Sequence, residues 1–129
     1  VRGKAQQLPF AKNTFDGAYA TWAFFLNGVA GIEDGLTELE RVIKSGGMII
    51  IVDNAGEDEF CSFAKNPIWA DRQFWLSREF KESIIETNWR FDNEIEARLL
   101  LTHFFGDVKL PQGQSTFDYR VAAFAKNVA

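Results

Sequence analysis

The chain has 129 residues, enough for one domain, and 47% of them are hydrophobic, enough to bury a core. Its 14 basic and 18 acidic residues leave a net charge of −4, which argues against a nucleic-acid face, since phosphate binding wants a basic surface. A single cysteine, Cys61, excludes an internal disulfide and a four-cysteine zinc site and fits a reducing cytoplasm; no secretory signal stands at the start, and no apolar run nears the roughly 18 residues of a membrane helix.

In chain order, residues 1–13 read as the exit from a strand followed by a loop, with Leu8-Pro9-Phe10 as an apolar plug. Phe15 to Thr21 reads as a short strand whose Gly17, Ala18 and Ala20 leave room for close packing. Trp22 to Val29 is apolar and aromatic, and Gly28 and Gly31 break it. From Ile32 the spacing predicts a helix carrying Leu36, Leu39, Val42 and Ile43 on one stripe. Glu33 and Asp34 suit its positive start, and Arg41 and Lys44 its negative end. Gly46 and Gly47 are expected to close it. Met48 to Val52 is a continuous apolar run, expected to be a strand buried on both faces as in a helix-covered parallel sheet. Strand, helix and strand at this spacing make one right-handed βαβ crossover. Asp53 and Asn54 follow at the carboxyl end of the second strand, where open α/β sheets bind ligands.

Ala55 to Ser77 is irregular and concentrates Phe60, Phe63, Trp69, Phe74 and Trp75, with two short helices expected around 57–65 and 71–77. Phe80 to Phe91 alternates as a strand, with Lys81, Ser83, Ile85, Thr87, Trp89 and Phe91 on one face and Ile84 on the other. Asn93 and Glu96 form a capping box for a helix over 94–105, which Gly106 ends. Thr116 to Lys126 alternates again and is the last strand.

Few residues offer chemistry. Ser45-Gly46-Gly47 follows a helix end, whereas phosphate loops precede a helix start, and no GxGxxG is present. One histidine, His103, and one cysteine give little support to a nucleophilic triad, and neither a catalytic residue nor a metal site can be named. Glu38 and Glu40 read as solvated flank residues, with Glu40 and Lys44 an i, i+4 pair. Trp69 and Trp75 either line a hydrophobic substrate pocket or pack a lid.

Three stretches together resemble one family. Gly3-Lys4-Ala5-Gln6-Gln7-Leu8-Pro9-Phe10 is similar to the "GDAxxLPF" segment of class I S-adenosylmethionine-dependent methyltransferases of the type 11-like group. Phe15-Asp16-Gly17-Ala18-Tyr19 is similar to the "FDxV" strand that follows it. Leu39 to Gly47 is similar to the "E-x-x-RVLKPGG" helix exit, with Glu38 at the glutamate position. The resemblance implies an α/β fold: an incomplete Rossmann-like sheet of parallel strands with an antiparallel carboxyl-terminal hairpin, flanked by helices. The chain would be the carboxyl-terminal part of the domain, lacking the cofactor loop. The implied cofactor is S-adenosylmethionine, contacted by Lys4, Ala5, Leu8, Thr21 and Trp22. The implied partner is a small-molecule acceptor, contacted by Phe25, Asn54, Trp69 and Trp75, with no nucleic acid and no membrane. Self-association through an exposed sheet edge is also expected.

One departure stands out. Lys4 occupies a position where the family has an aspartate accepting from adenine, and a lysine only donates. Two other readings therefore stay open: a non-enzymatic α/β interaction module that has lost its cofactor site, and another nucleotide-binding Rossmann-type enzyme.

Overall fold

A computed structural model describes residues 1–23 and 32–129. The elements are β1 (Phe15–Thr21), α1 (Ile32–Val42), β2 (Ile43–Asn54), α2 (Glu59–Ser62), α3 (Arg72–Leu76), β3 (Lys81–Arg90), α4 (Glu94–Phe105) and β4 (Thr116–Asn127). The four strands form one sheet in the order β1-β2-β4-β3, with β1 parallel to β2 and both β4 pairings antiparallel. The sheet is thus mixed and helix-flanked, as the resemblance implies.

Opposite faces of the sheet carry separate cores. Ile49 and Ile51 of β2 and Ala122 and Phe124 of β4 pack with Leu36 and Val42 of α1, and with Trp75 and Phe80. On the other face, Phe117 and Tyr119 of β4 pack with Phe60 and Cys61 of α2 and with Ala97 and Leu101 of α4. The second cluster covers only the end of the sheet near Asn54. The Met48–Val52 run is therefore not buried on both faces: Met48 is 44% exposed, and Tyr19, paired to Ile50, is 77% exposed.

The glycine turn also differs from its expected form. α1 ends at Val42, and Ile43 already pairs with Phe15. The extra residues bulge out before Gly17 pairs with Met48, and Gly46 takes φ +80° within that bulge. Gly47 lies too close for a side chain: a Cβ there would come within 2.5 Å of Ile43 Cγ2 and 2.6 Å of the Asp16 carbonyl oxygen.

Local chemistry explains the other boundaries. Asp58 and Asp71 accept from the backbone N–H groups of Cys61 and Phe74 and start the two short helices. Asn93 accepts from Glu96 N, while the Glu96 carboxylate reaches back to Asp92 N, one residue earlier than a standard capping box. β3 is an edge strand in unbroken register with β4, with Ile85 opposite Val121 and Ile84 opposite Ala122, but nearly all of its residues are exposed, so its alternation does not separate a buried from an open face.

Glu38 is not a solvated flank residue. Its carboxylate accepts from Arg41 Nε at 2.6 Å and from Leu8 N at 2.7 Å, while the Arg41 guanidinium donates to the carbonyls of Leu8 and Phe10. Arg41 and the Leu8 N–H hold the Glu38 carboxyl down to a pKa of about 2. Glu40 pairs with Lys126 and Lys44 with Asp16, so tertiary partners replace the expected i, i+4 pair.

Candidate functional site

The site lies where β1 and β2 end. Thr21 pairs with Val52, and the Trp22 N–H extends the ladder by donating to the Val52 carbonyl at 2.8 Å. At Trp22 the backbone enters the left-handed region, with φ +48°, which bulky residues adopt only when their surroundings hold them there. The indole N–H donates to Asn54 Oδ1 at 3.0 Å and also lies 3.0 Å from the Tyr119 hydroxyl oxygen. The Tyr119 hydroxyl donates to the same Asn54 Oδ1. Asn54 Nδ2 donates to the Ile68 carbonyl at 2.8 Å, and the Asn54 carbonyl accepts from Ala70 N. One asparagine thus ties together β1, β4 and the segment after α2.

Above this junction is a cavity of about 370 Å³ lined by Trp22, Asn54, Ile68 and Tyr119, together with Phe60, Trp89, Phe104 and Phe105. Its walls are aromatic and interlocked. Phe60 stacks on Trp89 with ring centres 5.0 Å apart, and meets Tyr119 and Phe105 edge-on at 5.2 Å each. A small apolar cavity with a few convergent polar atoms is the usual form of a small-molecule site.

Burial raises the pKa of three groups around the junction, Tyr119, Cys61 and Asp53. Burial pushes the Tyr119 hydroxyl up to about 12, so it stays a donor at neutral pH. Burial, reinforced by Asp58, raises the Cys61 thiol to about 12, which makes it a poor nucleophile. Asp53 is 1% exposed; its Oδ1 accepts from Asn54 N at 2.6 Å, and its Oδ2 has no partner among the described residues. Burial raises its pKa to about 7.

The residues singled out from sequence fall in different places. Trp22 and Asn54 are together in the cavity. Trp69 instead lies across Gly56, where an added Cβ would come within 2.8 Å of Trp69 Cγ, and lines a separate depression with Pro67, Ala70 and Asp71. Trp75 is 2% exposed in the core, edge-on to Phe74 and Phe80 and stacked on Phe124, so it is neither pocket wall nor lid. Phe25 lies outside the described residues. Lys4 and Ala5 sit in an exposed turn closed by Gln7 N donating to the Lys4 carbonyl. Leu8 packs into a groove beside Phe10, Phe15, Tyr19, Leu39 and Val42, away from the cavity. His103 is exposed, with its ring edge-on to Phe104. Sequence reading did not assign Phe60, Ile68, Trp89, Phe104, Phe105 and Tyr119 to a site. The available signal was alternation, which puts Trp89 on the face where Thr87 sits opposite Tyr119.

Residues 1–51 match the methyltransferase domain family model. A stretch of 54 residues is 44% identical to a demethylmenaquinone methyltransferase of Desulfitobacterium hafniense, covering 42% of this chain and 21% of that protein. Another of 53 residues is 45% identical to a 2-phytyl-1,4-naphtoquinone methyltransferase of Synechocystis, covering 41% of this chain and 21% of that one. The match thus spans about a fifth of the length of these relatives. A solved Bacillus halodurans protein assigned as a methyltransferase superposes over 96% of this chain and 68% of its own, with TM-score 0.60 and 18% identity. The fold is that of the class I methyltransferases. A solved S-adenosylmethionine-dependent methyltransferase of Thermotoga maritima superposes over 98% of this chain and 63% of its own, with TM-score 0.53 and 18% identity. The family-model match ends at residue 51, within β2, whereas the structural likeness extends over 96% of the chain. Among the described residues no helix is long and apolar enough to cross a membrane.

Proposed function

We propose that these residues are the carboxyl-terminal part of a methyltransferase domain, and that the whole protein transfers a methyl group from S-adenosylmethionine to a small, largely apolar acceptor. The observation that carries the acceptor half of this reading is the aromatic cavity floored by Trp22, Asn54 and Tyr119 at the carboxyl end of β2. The family match over residues 1–51 supports the donor half.

The fit to the donor is partial. Thr21 and Trp22 stand at the strand end where such sheets take ligands, but Lys4 is exposed and brings donors only. We read the rest of the donor crevice as belonging to chain beyond the outer edge of β1. When bound, the donor supplies a sulfonium methyl group for displacement. The residues of this chain hold the acceptor, and the aromatic wall keeps water from it. Alignment alone contributes much to such a transfer, in keeping with the lack of an obvious general base. The single buried, unpaired cysteine fits a reducing cytoplasm.

The test is titration of the full-length protein with S-adenosylmethionine, followed by transfer of labelled methyl to small apolar acceptors. Micromolar donor binding with acceptor-dependent label transfer supports the reading, on an affinity scale of about 8 kcal/mol. A full-length protein that does not bind the donor overturns it in favour of an interaction module.

A further inference from the structure

We infer that Asn54 and Tyr119 form a hydroxyl reader on the floor of the aromatic cavity, selecting ligands that carry an O–H on an apolar ring. This rests on the proposal that the cavity holds the acceptor, and it adds which group on that acceptor is recognised.

The argument is a count of hydrogen-bonding capacity. An asparagine amide has two acceptor lone pairs and two N–H donors. Asn54 Oδ1 takes both the Trp22 indole N–H and the Tyr119 hydroxyl. Asn54 Nδ2 gives one hydrogen to the Ile68 carbonyl. A carbonyl only accepts, so this bond fixes which end of the amide is nitrogen. One amide hydrogen remains without a partner among the described residues. Tyr119 donates its only hydrogen to Asn54, and its oxygen shares the single Trp22 indole N–H with Asn54 Oδ1, which leaves a lone pair on the phenol oxygen.

The floor therefore offers one donor and one acceptor on side chains that touch each other. A hydroxyl satisfies both, because it accepts from the amide and donates to the phenol oxygen. A carbonyl or ether satisfies one, and a methyl group neither. Asn54 and Tyr119 are 7% and 5% exposed, so a ligand that displaces water without replacing its bonds leaves buried polar groups unmet. Sites built to bond a hydroxyl reject the analogue that lacks it, whereas apolar walls alone discriminate weakly.

The probe pair is 4-ethylphenol and 4-ethyltoluene, which differ by O–H against CH₃, titrated against the full-length protein by ligand-observed NMR. The phenol is expected to bind at least about tenfold more tightly, the effect of one met hydrogen bond at a buried site. In Tyr119→Phe, which keeps the ring and the Trp22–Asn54 bond, that ratio should collapse while the affinity for 4-ethyltoluene holds. Asn54→Leu should lose phenol preference as well. Equal binding of the pair, binding of neither, or an unchanged ratio in Tyr119→Phe overturns the inference. A preserved phenol preference beside a full-length protein that binds no donor would remove the methyl-transfer reading and leave the hydroxyl reader standing.

Discussion

Glu38 Oε2 receives the backbone N–H of Leu8 at 2.7 Å, across 30 residues of sequence. With Arg41 bonded to the carbonyls of Leu8 and Phe10, the bond fastens the segment before β1 onto α1. The carboxyl is held well below its usual 4.5, at about 2, by Arg41 first and Leu8 second. A carboxylate with a depressed folded pKa contributes stability that is present above its unfolded pKa and is lost as pH falls through the folded one. The chain should therefore lose stability between pH 4.5 and about 2, and Glu38→Gln should flatten that slope. Urea unfolding at pH 3 and pH 6 measures it; an equal slope in the variant would remove Glu38 as the source.

Asp53 acts in the opposite direction. Burial lifts its folded pKa to about 7 from an ordinary 3.8. The native state then holds a proton that the unfolded state has released, so stability falls as pH rises from about 4 to about 7. Asp53→Asn should remove this loss and make the chain more stable than wild type at pH 8. Urea midpoints at pH 5 and pH 8 decide, and a variant less stable than wild type at pH 8 contradicts the sign.

The two tryptophans after β2 should separate cleanly. Trp75 is buried in the core, and Trp75→Ala should cost about 3–5 kcal/mol. Trp69 is 36% exposed, and Trp69→Ala should cost no more than about 1 kcal/mol. Chemical denaturation gives both values. Similar costs would mean that Trp69 is structural as well.

Adjacent glycines in the bulge should respond differently. At Gly46 there is open space but φ is +80°, so Gly46→Ala should cost about 1–2 kcal/mol and Gly46→Asn less. At Gly47 the added carbon meets the Asp16 and Lys44 carbonyls at 2.6 and 2.9 Å, so Gly47→Ala must shift backbone and should cost about 3 kcal/mol, the upper end for overpacking. Thermal melts of the three variants test the order, and a Gly47→Ala melt above that of Gly46→Ala would refute it.

Along the outer edge of β1 no strand is paired among the described residues, and the face above it shows Tyr19 and Met48 to solvent. Such an edge invites another chain. The 129 residues should associate with a concentration dependence visible in sedimentation velocity, and Tyr19→Lys should weaken it. The same residues should bind S-adenosylmethionine very poorly and show no turnover. A concentration-independent monomer, or ordinary donor affinity, contradicts these expectations.

Much of the fold was legible because its signals were local. The alternation in 116–126, the cap at Asn93 and the stripe from Leu36 to Val42 each arise from neighbours within a turn or two. Burial on both faces was misjudged for Met48–Val52 because an apolar run reports what a complete sheet covers, and here only one end of the second face is covered. Glu38 was misread because its backbone partner Leu8 lies 30 residues away, beyond any helix-spacing rule. Of the candidate site, Trp22 and Asn54 could be placed from strand ends. Tyr119 and Trp89 could not, since their contact with Asn54 and Phe60 exists only once β4 lies between β2 and β3.

That insertion sets when the cavity can exist. Trp22 and Tyr119 are separated by 97 positions, and Asn54 and Tyr119 by 65, so no early local structure can assemble the floor. Long-range pairings of this kind form slowly, after the loop entropy has been met. β3 precedes β4 in the chain yet ends outside it in the sheet, so a place must stay open for the last strand. A molecule that binds the cavity recognises only chains in which that gap has been filled, and its presence would select finished folds from nearly finished ones.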